Sequence, residues 1–184
     1  MNLFINACVR EASRTRRLAG CLLEKIGEPF EEVRLEAISF PVTDAGFLAM
    51  RDRLIGEGRF QDPVFDLANR FAAAERIVIA APYWDLSFPA SLKQYLEQIN
   101  VVGITFVYDE EGNPKGLCRA KELYYVSTAG GAYVPTEFGF GYVKALAQGF
   151  YGIRDVRLVQ TSGLDLAGAD PEKILAESME SLRL

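Results

Sequence analysis

The feature that most limits the fold of this chain is an unbroken apolar run at residues 77–81, Ile-Val-Ile-Ala-Ala. Such a run of β-branched and small residues is typical of a strand that is buried on both faces of a parallel sheet. Pro82 ends the strand, because proline has no backbone N–H to donate to a neighbouring strand. Ser87 is predicted to cap the next helix, whose apolar residues recur at helical spacing: Leu92, Tyr95, Leu96 and Ile99.

The loop between this strand and this helix carries Tyr83, Trp84, Asp85 and Leu86. Open α/β sheets bind their ligands at the carboxyl ends of the strands, which is where this loop is expected to lie. A tyrosine next to the only tryptophan of the chain offers a flat aromatic ligand a surface to stack on.

Length and composition indicate one globular domain that spans residues 1–184. The longest apolar runs are shorter than the roughly 20 residues that a membrane helix needs. The first residues also lack the pattern of a secretory signal. We therefore expect no membrane partner and a cytoplasmic location.

The composition also excludes several kinds of chemistry. The chain has 3 cysteines and no CxxC spacing, so neither a disulfide framework nor a metal site is expected. It has 0 histidines, which excludes a catalytic triad and any other imidazole base. The net charge of −5 makes nucleic acid an unfavourable partner. If the chain is an enzyme, a cofactor is expected to supply its chemistry.

A second loop with binding potential follows the first predicted strand, at residues 3–9, and precedes a helix that begins near Thr15. The loop contains Arg10, Ser13, Arg14 and Arg16, and hydroxyls, backbone N–H groups and a helix N-terminus that meet in this way bind phosphate. Alternatively, Ser13 or Thr15 only caps the helix and the arginines are solvated.

A third loop follows the predicted strand at residues 121–127 and consists of Thr128, Ala129, Gly130 and Gly131. Two glycines in this position let the backbone approach a bound ring and leave their N–H groups free to donate. The alternative is a tight turn that needs positive φ angles.

The remaining segments complete an alternating pattern. Further strands are predicted at residues 31–36 and 153–160, and a strand-like insertion at 104–117. Further helices are predicted at 45–57, at 136–150 and from Pro171 onwards, and residues 62–65 are predicted to lead into a short helix that ends near Ala74. Five strands that alternate with helices predict a doubly wound parallel sheet in the flavodoxin-like order 2-1-3-4-5. In that order the three loops meet at one crevice. Because the first loop lacks a Gly-x-Gly-x-x-Gly motif, a mononucleotide such as FMN fits better than a dinucleotide.

The chain also resembles the FMN-dependent NAD(P)H quinone oxidoreductase and azoreductase family. The resemblance rests on Ser13-Arg14-Thr15, on the segment from Ala81 to Leu86, and on Thr128-Ala129-Gly130-Gly131. It implies an FMN held by Arg10, Ser13, Arg14 and Thr15 at the phosphate, by Pro82, Tyr83, Trp84, Asp85 and Leu86 along the ring, and by Thr128, Ala129, Gly130 and Gly131 at its polar edge.

The same resemblance implies a homodimer that takes hydride from NADH or NADPH and passes it, by a ping-pong mechanism, to a quinone or azo compound, a small aromatic acceptor. Tyr133 is the candidate catalytic residue, which would orient or protonate an acceptor oxygen, unless it serves only in packing. Asp85 stands where the family usually has asparagine, Ala129 where it has a polar or basic residue, and Arg10 where a small hydroxyl residue is more common. Two alternatives are an FMN-binding electron carrier and a flavin-free binding module.

Overall fold

The computed structural model describes residues 1–184, and its central sheet is built from the segments in which apolar residues dominate. Seven strands are present: β1 Asn2–Asn6, β2 Phe30–Arg34, β3 Arg76–Ala80, β4 Phe106–Tyr108, β5 Pro114–Gly116, β6 Glu122–Thr128 and β7 Asp155–Thr161. Five of them form one parallel sheet in the order β2-β1-β3-β6-β7. In sequence order of the core strands this is 2-1-3-4-5, which confirms the predicted flavodoxin-like topology.

Helices cover both faces of this sheet. The α-helices are α1 Arg14–Ile26, α2 Ala45–Gly56, α3 Asp66–Ala73, α4 Ala90–Ile99, α5 Phe140–Leu146 and α6 Pro171–Ser181. Short 3-10 turns lie at Leu35–Ala37 and Pro63–Phe65, and one π-helical turn lies at Ala147–Tyr151. None of the helices is both long and apolar enough to cross a membrane.

Alternating side chains along each strand divide the core into two layers. Ile77 and Ile79 of β3 belong to the larger cluster, together with residues of α3, α4 and the π-helical turn. Val78 and Ala80 belong to the smaller cluster, with residues of α1 and α6. All four side chains have no exposed surface, so β3 is buried on both faces as its sequence predicts.

The predicted insertion before the fourth core strand is a two-stranded antiparallel hairpin, formed by β4 and β5. Its second strand runs directly against the end of the π-helical turn. A Cβ atom on Gly116 would lie 2.1 Å from the carbonyl carbon of Tyr151, so only glycine fits there.

Two of the predicted helix boundaries are wrong, and one hydrogen bond joins the two segments concerned. The hydroxyl of Ser87 donates to the carbonyl of Phe138 at 2.8 Å, so it does not cap α4, which begins at Ala90 with Pro89 in the capping position. The same bond ties Phe138 to the loop before α4, and α5 begins only at Phe140, four residues after the predicted start at Thr136.

Candidate functional site

The parallel register aligns the carboxyl ends of β1, β3 and β6 at one edge of the sheet. Backbone hydrogen bonds continue beyond the strands, from Ala7 N–H to the Ala80 carbonyl and from Ala81 N–H to the Val126 carbonyl, both at 2.9 Å. The loops that follow enclose a cavity of about 290 Å³. The three predicted loops therefore meet at one place.

Ten of the thirteen residues predicted to bind a cofactor line this cavity: Arg10, Ser13, Arg14, Thr15, Pro82, Tyr83, Trp84, Thr128, Ala129 and Gly130. Four further lining residues were not predicted: Val9, Ala12, Leu164 and Asp165. Asp85, Leu86 and Gly131 do not line it, and neither does Tyr133, whose surface is 79% exposed.

The loop after β1 has the features of an anion site. The Ser13 hydroxyl accepts a hydrogen bond from the Arg16 N–H at 3.2 Å, so Ser13 does cap α1. The N–H groups of Arg14 and Thr15, in the first turn of that helix, have no acceptor within the chain. Capping by Ser13 therefore does not use up the donors that a phosphate needs.

The Thr15 hydroxyl joins two of the loops. It lies 2.7 Å from the Thr128 hydroxyl, although 113 residues separate the two in the sequence. The Thr15 side chain is 1% exposed, so this contact holds the start of α1 against the carboxyl end of β6. The anion loop and the glycine loop are thus parts of one site.

The four clustered arginines differ in their partners. Arg16 donates to the Cys8 carbonyl and lies 3.8 Å from a Glu36 carboxylate oxygen. Arg17 forms a two-pronged pair with Glu172, at 2.9 and 2.7 Å. Arg14 donates through both terminal nitrogens to Asp165, at 2.8 and 2.9 Å. Arg10 alone has no carboxylate within 4.0 Å, so its charge is free for an anionic ligand.

The aromatic loop contains a tight turn beside the cavity. Trp84 and Ser87 exchange backbone hydrogen bonds at 3.1 and 2.8 Å across Asp85 and Leu86, which have φ angles of 49° and 69°. Two positive φ angles are the mark of a type I′ turn, and such an angle is unfavourable for leucine. Tyr83 and Trp84 line the cavity before this turn, while Asp85 and Leu86 lie at its tip outside the lining.

The hydroxyl of Tyr83 is a buried polar atom without a partner within the chain. Burial raises the pKa of this hydroxyl above its usual value, and Tyr133 and Glu137 raise that pKa further. A buried hydroxyl that lacks a partner in the chain itself is available to a bound ligand.

The glycine pair does not have the positive φ angles that a tight turn would need, so that alternative is wrong for Gly130 and Gly131. Neither N–H group has an acceptor within the chain, whereas the carbonyls accept from Asp165 and Gly163 N–H groups at 2.9 Å. A Cβ atom on Gly130 would lie 2.2 Å from an Asp165 carboxylate oxygen. Gly130 therefore makes room for a side chain from the loop after β7.

The loop after β7 is the part of the site that the sequence analysis missed. Leu164 is 2% exposed and its N–H donates to the Ala129 carbonyl at 3.3 Å, so this loop is packed onto the glycine loop. A signal was available, because the carboxyl end of the fifth core strand lies at the same sheet edge as the other three. An aspartate four residues after that strand was a candidate on the same rule.

Comparison with known proteins agrees with this geometry. The family model for the flavodoxin-like fold matches residues 2–184. The FMN-dependent NADH:quinone oxidoreductase of Clostridium beijerinckii is 32% identical over 97% of this chain and 92% of its own length. The FMN-dependent NADH:quinone oxidoreductase 2 of Clostridium acetobutylicum is 36% identical over 97% of this chain and 92% of its own length.

Among solved structures, an azoreductase from Bacillus anthracis str. Sterne superimposes with a TM-score of 0.82 at 25% identity, covering 98% of this chain and 96% of that one. The predicted family is therefore confirmed on both sequence and fold. The chain belongs to the flavodoxin-like family that contains the FMN-dependent NADH:quinone oxidoreductases and azoreductases.

Proposed function

We propose that the chain binds FMN in this cavity and acts as an oxidoreductase that passes hydride from NADH to a quinone or azo compound. The observation that carries the proposal is that free anion donors, an aromatic wall and the free N–H group of Gly130 line one cavity of about 290 Å³. Phosphate, planar ring and polar ring edge each have a matching surface. Bound FMN would supply the transfer of hydride between the two substrates.

The residues of the chain divide the binding task. The phosphate falls to Arg10, to the guanidinium and backbone N–H of Arg14, and to the N–H and hydroxyl of Thr15. Tyr83 and Trp84 line the cavity and would offer the ring aromatic faces to stack on.

The two glycine N–H groups complete the arrangement at the polar edge of the ring. Those of Gly130 and Gly131 are donors without an acceptor in the chain. That of Gly130, which lines the cavity, would stabilise negative charge that develops at that edge in the reaction.

Tyr133 is the proposed proton donor or orienting group for the acceptor. Because the chain has 0 histidines, a phenol hydroxyl is a candidate to donate a proton to an acceptor oxygen. Its position two residues after Gly131, directly beyond the glycine loop, supports this assignment. Tyr133→Phe tests it, because loss of the hydroxyl should lower turnover with a quinone while flavin binding stays unchanged.

We further propose that two copies of the chain form a cytoplasmic homodimer. Exposed large apolar side chains support a partner surface. Val9 at 46% and Trp84 at 38% line the cavity, and three more lie outside its lining: Leu86 46%, Phe138 59% and Leu166 50%. All three cysteines are free thiols, which supports a reducing compartment. Light scattering of the purified chain tests the dimer, and Phe138→Asp should weaken it.

The absorbance spectrum of the purified protein, with and without added FMN, tests the main proposal. We expect a flavin spectrum that bleaches when NADH is added and returns when a quinone is added. A protein that binds FMN but does not oxidise NADH would instead be an electron carrier. A protein that binds no FMN would be a flavin-free binding module.

A double variant links this test to the phosphate site. Arg14→Ala together with Thr15→Ala should release FMN and leave the fold intact, as judged by circular dichroism. The matched control is Arg17→Ala, which removes a charge from the same helix at a residue that does not line the cavity. If the double variant retains FMN as tightly as the parent chain, the phosphate assignment is wrong.

A further inference from the structure

The side chain of Asp165 occupies a defined position in the wall of the cavity. One carboxylate oxygen accepts from both terminal nitrogens of Arg14, at 2.8 and 2.9 Å. The other lies over the Cα of Gly130, 2.2 Å from where a Cβ atom would be. The carboxylate therefore lies between the anion loop and the glycine loop.

The backbone on either side of Asp165 is also held. Its N–H donates to the Gly130 carbonyl at 2.9 Å, and the Gly163 N–H donates to the Gly131 carbonyl at 2.9 Å. Leu164 between them is 2% exposed. Because the backbone is anchored, the carboxylate offers Arg14 a fixed partner, unlike an ion pair between two mobile surface chains.

We propose that Asp165 is a positioning residue, which holds the Arg14 guanidinium in the cavity wall beside the anion loop so that the site selects a flavin carrying a terminal phosphate. The inference rests on the proposed FMN function. A guanidinium carries five N–H donors, and Asp165 occupies two of them. Three N–H donors of Arg14 remain for a phosphate, and the bonds to Asp165 already hold the side chain in one rotamer.

The sign of the effect distinguishes positioning from simple electrostatics. A carboxylate near a phosphate repels it, so electrostatics alone predicts that removing Asp165 strengthens FMN binding. The Asp165 and Arg14 side chains are 63% and 33% exposed, so solvent and salt screen that repulsion. Freeing Arg14 adds the entropic cost of ordering a long side chain to each binding event. We expect this cost to exceed the relieved repulsion, so that binding weakens.

The chain provides a matched control in the pair between Arg17 and Glu172. This pair is also two-pronged, at 2.9 and 2.7 Å, and joins the same helix α1 to the last part of the chain. Neither residue lines the cavity. Glu172→Ala changes the net charge by the same amount as Asp165→Ala, but leaves the hydrogen bonds between Arg14 and Asp165 in place.

The experiment measures the Kd of FMN and of riboflavin, which lacks the phosphate, by quenching of flavin fluorescence. For Asp165→Ala we expect the Kd of FMN to rise about 3- to 10-fold. The Kd of riboflavin should stay unchanged, and Glu172→Ala should change neither value. In an Arg14→Ala background, Asp165→Ala should no longer weaken FMN binding, because the residue acts through Arg14.

Several results would overturn the inference. Unchanged or tighter FMN binding by Asp165→Ala would mean that the carboxylate does not position Arg14. An equal loss of FMN and riboflavin affinity would mean that Asp165 only supports the cavity wall. Failure of the unaltered chain to bind FMN would refute the proposed function itself and the inference with it, which distinguishes the two failures.

Discussion

Replacement of Thr15 by valine tests the point where two loops of the site meet. The Thr15 hydroxyl is buried, lies 2.7 Å from the Thr128 hydroxyl and faces the cavity at the start of α1. When Thr128 donates to Thr15, the Thr15 hydrogen is free to donate to a phosphate oxygen. Valine has nearly the same shape as threonine but can make neither bond.

The size of the effect follows from these two bonds. Loss of the neutral bond to Thr128 should lower the free energy of unfolding by about 1 kcal/mol, which corresponds to about 2–4 °C in Tm for a chain of this length. Loss of a hydrogen bond to a charged phosphate removes about 1.5–3 kcal/mol, so the Kd of FMN should rise roughly 10- to 150-fold.

Thermal unfolding and FMN titration of three variants separate these effects. Thr15→Ser loses a buried methyl group, which costs about 1 kcal/mol of stability, but it retains the hydroxyl and should bind FMN normally. Thr161→Val removes a buried hydroxyl that has no partner in the chain and does not line the cavity. This variant should therefore lower neither the Tm nor the affinity for FMN.

The comparison of valine and serine at position 15 is decisive. If Thr15→Val retains normal FMN affinity, or if Thr15→Ser loses as much affinity as Thr15→Val, the hydroxyl does not contact the phosphate. The meeting of the two loops would then be a structural feature without a role in binding.

Three further predictions concern charge, packing and pH. Arg10→Ala should weaken FMN binding about 5- to 30-fold, whereas Arg17→Ala should leave it unchanged, because of these two residues only Arg10 lacks a carboxylate partner. Equal effects of the two variants in FMN titrations would contradict this prediction. Gly116→Ala should lower the free energy of unfolding by more than about 3 kcal/mol in urea, since its Cβ would meet backbone at 2.1 Å, whereas Gly149→Ala, with no atom within 4 Å, should be tolerated. Burial raises the pKa of the Cys118 thiol from 9.0 to about 12. The thiol therefore contributes fully to the free energy of unfolding below pH 9, and this contribution is lost as the pH rises towards 12. Cys118→Ala should reduce the loss of stability at alkaline pH, and an unchanged pH profile of the urea midpoint would refute this prediction.

The fold could be predicted because the core strands are short apolar segments, and their burial does not depend on specific contacts with residues that are distant in the sequence. Residues 77–81 indicate a doubly buried strand from composition alone, and the structure buries every side chain of that run. Boundaries were less predictable. Ser87 has the chemistry of a helix cap, but its hydroxyl donates to the carbonyl of Phe138, 51 residues away. The local sequence around Ser87 does not indicate this distant partner.

The candidate site was likewise predictable in its overall arrangement but not in its details. Which loops meet is determined by the parallel sheet, because all strands present their carboxyl ends at one edge. Which side chains within those loops face the cavity depends on backbone angles. Asp85 and Leu86 belong to the aromatic loop, but two positive φ angles place them at the tip of a turn outside the lining. Positive φ angles are usually indicated by glycine, but here they occur at an aspartate and a leucine, so the sequence does not predict this turn.

The electrostatic character of the anion loop shows where the limit of sequence reasoning lies. Four arginines within eight residues suggest a strongly basic site, yet Arg14, Arg16 and Arg17 each have a carboxylate within 4.0 Å. Two of these partners are 151 and 155 residues away in the chain. The unpaired charge is thus that of Arg10. The other phosphate donors are the Arg14 guanidinium, whose charge is balanced by Asp165, and the uncharged N–H groups at the start of α1. Phosphate recognition in this site should therefore depend more on the direction of backbone donors than on net charge, and the affinity for FMN should fall only modestly with added salt.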